Sequence, residues 1–304
     1  MTIPFERYLS SKFALDERSL NPRVRQLFET SLRARPGARI LDLGAGLGAG
    51  FERLLAVPFV GDFDLTALDR DAGLLTQALE RAARLLVSRG FQVEASALGL
   101  VARDSSRLIR YRVVAGDLFD FMAEPPFDVI LAHCVMDLLP PGRLVERLAD
   151  WLAPQGLFYA ALVYDGETTL LPYDPDDLFE MALLEAYDRS MSRQLGGYPT
   201  GGSLSGRQLH AHLLSAGLDV LALGASDWSL GPVAGAYSED EAVCLKALLE
   251  MMYQEGLRTT ALDPESCRRW AERRRLDLDR RQLALVVHQL DVLAARPVRA
   301  SFSS

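Results

Sequence analysis

The segment that decides the fold reads Arg39-Ile40-Leu41-Asp42-Leu43-Gly44-Ala45-Gly46-Leu47-Gly48. Its apolar run ends in an acid and a glycine-rich turn, and residues 49–55 continue with the composition of a helix. This order predicts a strand, a tight loop and a helix N-terminus, the arrangement that holds nucleotide-like ligands in doubly wound α/β folds. Glycine has no Cβ atom, so the backbone of the loop can turn sharply and approach a ligand closely.

The next predicted strand carries a second part of this fingerprint. It reads Leu65-Thr66-Ala67-Leu68-Asp69, and Arg70 follows it. Asp69 stands about 20 residues after the glycines, the distance at which an acid binds the hydroxyls of a ribose. The sequence therefore predicts a ribose-containing ligand beside the loop.

The loop resembles motif I of the class I S-adenosylmethionine-dependent methyltransferases, D-x-G-x-G-x-G, written here from Asp42 to Gly48. A nicotinamide-binding loop more usually reads G-x-G-x-x-G, and Ala49 is tolerated at its last position. The loop alone therefore leaves the cofactor open. Asp42 and the segments that follow favour S-adenosyl-L-methionine.

Later segments match the same family in order. Residues 113–119 resemble the segment whose acid meets the adenine amino group, which makes Asp117 a candidate adenine ligand and Leu118 an apolar wall. Residues 127–133 resemble the fourth strand, which ends beside the transferred methyl. The fifth strand and the last two are predicted at residues 156–163, 218–223 and 283–290.

The resemblance implies a fold and a set of cofactor contacts. We expect an α/β, Rossmann-like, mostly parallel sheet with an antiparallel final strand, helices on both faces and an added helical cap. Asp42 is expected to orient the loop and the ammonium group of the cofactor. The expected cofactor contacts are Asp42, Gly44, Ala45, Gly46, Gly48, Asp69, Arg70, Asp117, Leu118 and His133.

Methyl transfer makes few demands on catalytic side chains, because the leaving sulfide is neutral. The protein mainly positions the acceptor and excludes water. A base is needed only for an acceptor that carries a proton at the reacting atom. His133, at the end of the fourth predicted strand, is the candidate base; the alternative is a histidine hydrogen-bonded within its loop.

The candidate substrate residues lie after this strand. Asp137 either reaches the pocket or caps the turn that follows. The aromatic residues in or near the predicted cap can stack on an aromatic or cationic acceptor: Tyr164, Tyr173, Tyr187, Tyr198 and Trp228. Tyr198 is favoured among them, because the glycine-rich residues 196–202 around it suggest a lid.

The resemblance implies one methyltransferase domain over residues 1–304, in which the alternation of strands and helices is interrupted by insertions. Residues 1–37 read as a helical lead-in, and insertions at 165–202 and 238–282 read as mainly helical. We expect these two insertions to form a cap over the cofactor and the acceptor.

Composition narrows the class of partner. The chain has 304 residues, 49% of them hydrophobic, and a formal charge of -8 with pI about 5.2, which argues against broad nucleic-acid binding. The N/D-P-P-Y/F motif of enzymes that methylate base amino groups is replaced by Ala132-His133-Cys134-Val135. The acceptor is therefore predicted to be a small molecule.

The same sequence predicts a cytoplasmic protein without a metal site or a membrane segment. No apolar run reaches the roughly 18 residues of a membrane span, and residues 1–12 lack a signal pattern. The three cysteines, Cys134, Cys244 and Cys267, fit neither a zinc site nor a disulfide framework.

Two alternatives stay open. An NAD(P)-dependent oxidoreductase is opposed by Asp42 and by the position of the one Tyr-x-x-x-Lys spacing, Tyr8 to Lys12, which precedes the glycine loop. A non-catalytic cofactor-binding module is the second, because no second strong catalytic residue is evident. A homodimer is also compatible with the sequence, since the apolar residues of 245–252 can bury against a pocket or against a second copy.

Overall fold

A ten-stranded sheet forms the centre of the protein in the computed structural model, which describes residues 3–58, 60–122, 126–195 and 197–298. Its strands are β1 (Ala38–Leu43), β2 (Phe63–Asp69), β3 (Gln92–Ser96), β4 (Gly99–Arg103), β5 (Leu108–Ala115), β6 (Phe127–His133), β7 (Leu152–Leu171), β10 (Asp219–Ala225), β11 (Trp228–Leu230) and β12 (Ala284–Ala295). A separate hairpin pairs β8 (Gln194–Leu195) with β9 (Tyr198–Pro199).

Helices flank this sheet. They are α1 (Phe5–Ser11), α2 (Phe13–Ser19), α3 (Pro22–Arg33), α4 (Ala49–Ala56), α5 (Ala72–Ser88), α6 (Pro141–Trp151), α7 (Leu178–Ser190), α8 (Ser205–Ser215), α9 (Glu239–Arg258) and α10 (Pro264–Asp279). Short 3-10 helices follow β5, β6 and the β8–β9 hairpin, at Leu118–Asp120, Met136–Leu138 and Gly202–Leu204.

The strand order is β10-β12-β7-β6-β1-β2-β5-β4-β3, and β11 pairs with β12. The five central strands, β7, β6, β1, β2 and β5, are parallel, whereas β12 is antiparallel to β7. This confirms the predicted Rossmann-like class with its antiparallel final strand. The order of connection reverses at β1, so the carboxyl ends of β1 and β6 border a crevice, where such sheets bind ligands.

The central strands are apolar on both faces because each face carries helices. In β1, Ile40 packs into one core layer while Leu41 and Leu43 pack into the other. Helix α5, capped by Asp71, buries its apolar stripe in the first layer, and α6 buries its own in the second. The two layers hold β1 rigidly, and β1 ends at the glycine loop.

Two features differ from the expected element boundaries. Strand β7 continues to Leu171, through residues predicted as the start of an insertion, because it pairs with β12 as far as Leu171 with Ala284. At the other edge, β4 and β5 form a hairpin around Asp104, and β3 extends the sheet by one more strand, which the family pattern did not include.

The later helices pack on one another. A buried ion pair joins α7 to α10, in which Arg274 donates to both carboxylate oxygens of Glu180 at 2.5 and 2.6 Å. The Trp270 indole donates to the same carboxylate at 2.7 Å. The apolar residues considered for a dimer contact are buried inside the chain itself: Leu245, Leu248, Leu249 and Met252. In the described part of the chain, no helix has the length and apolar character needed to cross a membrane.

Candidate functional site

The glycine loop forms a tight arch at the carboxyl end of β1. Gly44, Gly46 and Gly48 have φ values of 63°, 51° and 83°, a region that favours glycine. A Cβ atom on Gly44 would lie 2.6 Å from Val135, just after β6, so the arch touches the neighbouring strand end. Gly48 begins α4 without a side-chain cap, which leaves backbone N–H groups available at that helix N-terminus.

Asp42 lies beneath this arch with only 3% of its surface exposed. A Cβ atom on Gly50 would stand 2.2 Å from one of its carboxylate oxygens, so glycine is required where α4 passes the acid. Burial raises the pKa of Asp42 to about 7, against the opposing effect of Arg53 and with a smaller contribution from Asp69. The acid is thus poised between its charged and neutral forms near neutral pH.

Asp69 ties the loop to the end of β2. One carboxylate oxygen accepts from the Gly46 N–H at 2.8 Å, and the other accepts from the Asp71 N–H at 2.9 Å. Each oxygen keeps a second lone pair for a ligand hydroxyl. The structure therefore brings Asp69 to the loop, as the spacing predicts.

Asp117 follows β5, the next strand of the sheet. Its carboxylate accepts from Arg70 at 2.8 Å and from the Phe119 N–H at 2.8 Å. Leu118 is buried in the adjoining core layer. Arg70 thus lies against the acid predicted to meet adenine, a pairing that sequence spacing does not reveal.

A cavity of about 110 Å³ adjoins the arch, and we call it the loop cavity. It is lined by Leu9, Lys12, Phe13, Asp16, Asp42, Gly44, Ala45, Gly46, Leu47, Ala49, Gly50, Arg53, His133 and Cys134. The lining combines the predicted loop residues with charged side chains from α2, α4 and the end of α1.

These charged side chains form a buried network. The Arg53 guanidinium donates to Glu17, lies 3.6 Å from Asp16, and contacts the His133 Nδ1 atom at 3.0 Å. One Arg53 nitrogen, Nη2, and one Asp16 oxygen, Oδ1, are buried without a hydrogen-bond partner among the described residues. A cationic donor, Arg53, and an anionic acceptor, Asp16, therefore border the loop cavity, and each has an atom that can form a further hydrogen bond.

The contacts of His133 argue against the predicted role of general base. Arg53 has only donors, so the His133 Nδ1 atom accepts and the proton resides on Nε2. That Nε2 atom is inaccessible and has no partner within the described residues. Burial, together with Arg53 and Lys12, lowers the pKa of His133 well below its usual value. The neutral ring supports Arg53 and packs edge-on against Tyr159 at 5.1 Å.

Lys12 stands where the loop cavity meets a second cavity. Its Nζ atom donates to Asp16 at 2.6 Å and to the Cys134 sulfur at 3.1 Å. Burial opposes the charge of Lys12, but Cys134 and Asp16 outweigh it and raise the pKa above its usual value. Burial raises the pKa of Cys134 to about 11, so at neutral pH a lysine cation faces a thiol.

The second cavity has a volume of about 650 Å³, and we call it the cap cavity. It shares Leu9, Lys12 and Cys134 with the loop cavity. Its other walls come from α1, α7, α9, the 3-10 helix after β6 and the strands β7, β11 and β12. They include Tyr8, Asp137, Leu162, Tyr164, Tyr187, Met191, Trp228, Met251, Val287 and Gln289.

Four of the six predicted substrate residues, Asp137, Tyr164, Tyr187 and Trp228, line this cavity, and the exposed Tyr173 does not. Asp137 is one of them, and burial raises its pKa to about 6 against a small lowering by its own backbone and Lys12. Tyr164 and Tyr187 line it too, with the Tyr164 hydroxyl held by Thr168 at 3.1 Å and Asp188 at 2.5 Å.

Tyr198 lies elsewhere. It is 45% exposed, belongs to the β8–β9 hairpin, and stacks against Arg143, whose guanidinium carbon is 4.1 Å from the ring centroid. Gly196, part of the glycine-rich stretch that suggested a lid, is outside the described residues. Tyr198 contributes to neither the loop cavity nor the cap cavity.

Several site residues were missed by sequence reasoning. Lys12 carried a usable signal, because it is one of two lysines among 33 basic residues. The sequence gives no such signal for Asp16, Arg53 and Gln289. Each lies on an ordinary helix or strand and reaches the site only through packing of distant segments.

No protein-family model matches the chain, and no curated protein matches it. Among solved structures, it is similar to an S-adenosylmethionine-dependent methyltransferase from Geobacter sulfurreducens in complex with S-adenosyl-L-homocysteine (18% identity, TM-score 0.45, 97% of this chain and 99% of that chain). It is also similar to the YcgJ protein from Bacillus subtilis (15% identity, TM-score 0.48, 91% of this chain and 99% of that chain). A third similar structure is phosphoethanolamine N-methyltransferase 2 from Haemonchus contortus in complex with S-adenosyl-L-methionine (14% identity, TM-score 0.42, 89% of this chain and 52% of that chain). These likenesses are remote, and the Rossmann-like fold of this chain rests on its own strand order.

Proposed function

We propose that the protein is an S-adenosylmethionine-dependent methyltransferase that acts on a small molecule. One observation carries the proposal. The D-x-G-x-G-x-G loop, Asp69 and Asp117 follow the carboxyl ends of three strands that are neighbours in the sheet, β1, β2 and β5. A methionine end, a ribose and an adenine follow one another in the same order along the cofactor.

The residues present fit the methionine end of the cofactor, which carries an ammonium and a carboxylate. Asp42 and the Asp16 Oδ1 atom offer acceptors for the ammonium. The Arg53 Nη2 atom, which lies 3.6 Å from Asp16 but donates to no acceptor among the described residues, offers a donor for the carboxylate. Such charge-assisted hydrogen bonds are stronger than neutral ones. Because the glycines of the arch carry no side chains, the cofactor can approach the backbone of the loop closely.

The other predicted contacts fit the nucleoside. Asp69 has free lone pairs for the ribose hydroxyls, and Asp117 can accept from the adenine amino group once Arg70 moves aside. Leu118 and Arg70 then flank the base. We propose Asp42, Gly44, Ala45, Gly46, Gly48, Asp69, Arg70, Asp117 and Leu118 as cofactor contacts, with His133 supporting Arg53.

When bound, the cofactor supplies a methyl group on a sulfonium sulfur. We propose that Lys12, Leu9 and Cys134, which line both cavities, hold the acceptor in line with that methyl and exclude water. Positioning of this kind lowers a barrier by about 7–11 kcal/mol. The acceptor atom is an oxygen or a nitrogen.

Asp137 is the better-placed base for an acceptor that loses a proton. It lines the cap cavity, and a carboxylate with pKa about 6 is charged at neutral pH yet more basic than an exposed aspartate. We propose that it takes the proton released as the acceptor is methylated. An acceptor that reacts in its deprotonated form would need no such step.

We propose that the chain forms one domain, 1–304, in which the lead-in 1–37 and the later insertions build the acceptor site. Helices α1, α7 and α9 supply walls of the cap cavity, and they come from residues 1–37, 165–202 and 238–282 respectively. A cytoplasmic location is part of the same proposal. A homodimer has no support from the buried residues of α9.

Calorimetric titration with S-adenosylmethionine, S-adenosylhomocysteine and NADH tests the proposal. We expect both sulfur compounds to bind with Kd in the micromolar range and NADH not to bind. Asp69→Ala should abolish binding, while Asp64→Ala, which changes a half-exposed acid on the same strand, should preserve it. Binding of NADH alone would refute the proposal and favour a dehydrogenase, and no binding at all would favour a non-catalytic module.

A further inference from the structure

The cap cavity and the loop cavity meet at Lys12 and Cys134, which line both. The volume of the cap cavity, about 650 Å³, lies within the usual range for ligand pockets. A small molecule in the cap cavity therefore has access to the end of β6 and to the proposed methyl donor. The charges along the cavity walls indicate which kind of molecule the cavity suits.

Most charged side chains that line the cap cavity already have a partner of opposite charge. Glu250 accepts from Arg275 at 2.9 Å. Glu255 pairs with two guanidiniums, that of Arg193 at 3.7 Å and that of Arg258. Because these two arginine side chains are 65% and 68% exposed, water screens their charge. These four walls-lining charges therefore place no strong field inside the cavity.

Asp137 differs, because it lines the cavity and has no ion pair within the described residues. Its carboxylate accepts from its own backbone N–H and has no enclosed oxygen without a partner, so it remains accessible to a ligand. The charge of Lys12 acts on Asp137 but is compensated by Asp16 at 2.6 Å. The inner part of the cavity therefore carries a negative charge without a partner, close to the junction of the two cavities.

Two tyrosine hydroxyls lie near this carboxylate. Burial, Asp188 and Asp137 raise the pKa of Tyr187, and burial and Tyr187 raise that of Tyr8, so the three groups interact in sequence. Both tyrosines line the cavity. Neither hydroxyl forms a hydrogen bond with a described residue, and neither is enclosed. Asp137, Tyr187 and Tyr8 thus offer three hydrogen-bond acceptors to one ligand group.

We propose that the cap cavity binds a primary amine with an apolar body, whose ammonium group donates to Asp137 and to the hydroxyls of Tyr8 and Tyr187. A primary ammonium has three N–H groups for these three acceptors, and aromatic rings around it stabilise a cation. An anion would be repelled by Asp137, and a neutral hydroxyl would leave its charge without a partner. The apolar and aromatic walls that suit the body of the amine include Leu162, Tyr164, Met191, Trp228 and Met251.

This inference rests on the proposed function, because it takes the cap cavity as the acceptor site and a nitrogen as the acceptor atom. Asp137 takes one proton from the ammonium and becomes a neutral carboxylic acid. The lone pair released on nitrogen forms the new N–C bond, while the S–C bond of the sulfonium breaks and its electron pair stays on the neutral sulfide. The product is a secondary ammonium, which carries the positive charge that the sulfonium loses.

Three aromatic probes of similar shape test the proposal by ligand-observed NMR on the whole protein at neutral pH. Benzylamine carries an ammonium, benzyl alcohol is its neutral analogue, and benzoate carries an anion. We expect benzylamine to bind about tenfold more tightly than either of the others, because hydrogen bonds to charged groups are the stronger ones. Asp137→Asn should reduce this preference to less than about threefold.

Matched variants separate the role of Asp137 from a general change in the cavity. Glu250→Gln removes another acid of the lining, but one that Arg275 already compensates, so the preference should remain. Tyr187→Phe should weaken the preference, whereas Tyr173→Phe, at an exposed position outside the cavity, should not. Because Asp137 has no ion pair, Asp137→Asn should leave the melting temperature unchanged or raise it.

The contrary outcomes are specific. Equal binding of benzylamine and benzyl alcohol, a preference for benzoate, or no binding by any probe would each overturn the inference. So would a preference that survives Asp137→Asn, one lost equally in Glu250→Gln, or a clear drop in the melting temperature of Asp137→Asn.

Titration with S-adenosylhomocysteine runs beside the probes and separates the two proposals. If S-adenosylhomocysteine binds but benzylamine is not preferred, the amine inference alone is overturned. If benzylamine is preferred but S-adenosylhomocysteine does not bind, the methyltransferase proposal is refuted, and the cap cavity remains an ammonium site of another function.

Discussion

Replacing Asp42 with asparagine should stabilise the ligand-free protein near neutral pH. The carboxylate lies in a buried site that raises its pKa from 3.8 to about 7, so its charged form is disfavoured in the folded state. Each pKa unit corresponds to 1.36 kcal/mol, which makes the full effect about 4 kcal/mol. Asparagine has nearly the same shape and carries no charge.

The sign of the pH dependence follows from the raised pKa. Between pH 4 and 7 the folded protein holds a proton on Asp42 that the unfolded chain has lost. The free energy of unfolding of the natural protein, relative to the variant, should therefore fall by about 1.4 kcal/mol per pH unit in that window. The difference should level off above pH 7 and below pH 4.

Urea unfolding of both proteins at several pH values from 4 to 8 measures this difference. Asp64→Asn, at a half-exposed position on β2, is the control for removing a carboxylate elsewhere in the sheet. Calorimetry should show that Asp42→Asn weakens S-adenosylmethionine binding even as it stabilises the free protein. A variant that is less stable than the natural protein at pH 8, or a difference that does not change with pH, would refute the reasoning about burial.

Three further substitutions test other parts of the structure. Gly50→Ala should destabilise the protein by about 1–3 kcal/mol in urea and weaken cofactor binding, because its Cβ would meet the Asp42 carboxylate at 2.2 Å. Gly61→Ala, where the nearest atom is 3.6 Å away, should have little effect. Glu180→Ala should cost about 2–3 kcal/mol in urea unfolding, because it removes the carboxylate that accepts from the buried Arg274 guanidinium and from the Trp270 indole, and leaves Asp277 as the remaining acid at Arg274. For an acceptor that loses a proton, kcat/KM should fall below about pH 6 as Asp137 protonates, and Asp137→Asn should remove that pH dependence.

Each of these has a contrary outcome. Equal stability of the Gly50 and Gly61 variants would mean that α4 does not press on Asp42. A change below 1 kcal/mol for Glu180→Ala would mean that the ion pair is not buried in solution. An unchanged acidic limb in the Asp137 variant would assign that limb to another group.

Local patterns in the sequence determined the central part of the fold. The strand, the glycine turn and the start of the helix at β1 are encoded within residues 39–55, because burial and backbone conformation at each position restrict the residue types that fit. Asp69 lies where the spacing predicts, because a strand of fixed rise carries it to the end of β2 beside the loop. Asp117 follows β5 for the same reason.

Only the tertiary structure decided what surrounds this loop. Lys12 and Cys134 are 122 positions apart in sequence yet 3.1 Å apart in space, and the contact exists because the N-terminal helices fold back over the sheet. The sequence suggested His133 as a base, but Arg53, which arrives from α4, occupies its acceptor nitrogen. A residue's partners, and hence its protonation, cannot be inferred from its own position in the chain.

The acceptor site shows the same division. Sequence patterns predicted helical insertions and aromatic candidates, and Tyr164 and Tyr187 line the cap cavity whereas Tyr198 does not. Asp137, Tyr8 and Tyr187 come from three distant segments and meet only at the cap cavity. Periodicity reports which face of an element is apolar, but whether a buried polar group finds a hydrogen-bond partner depends on packing between distant segments.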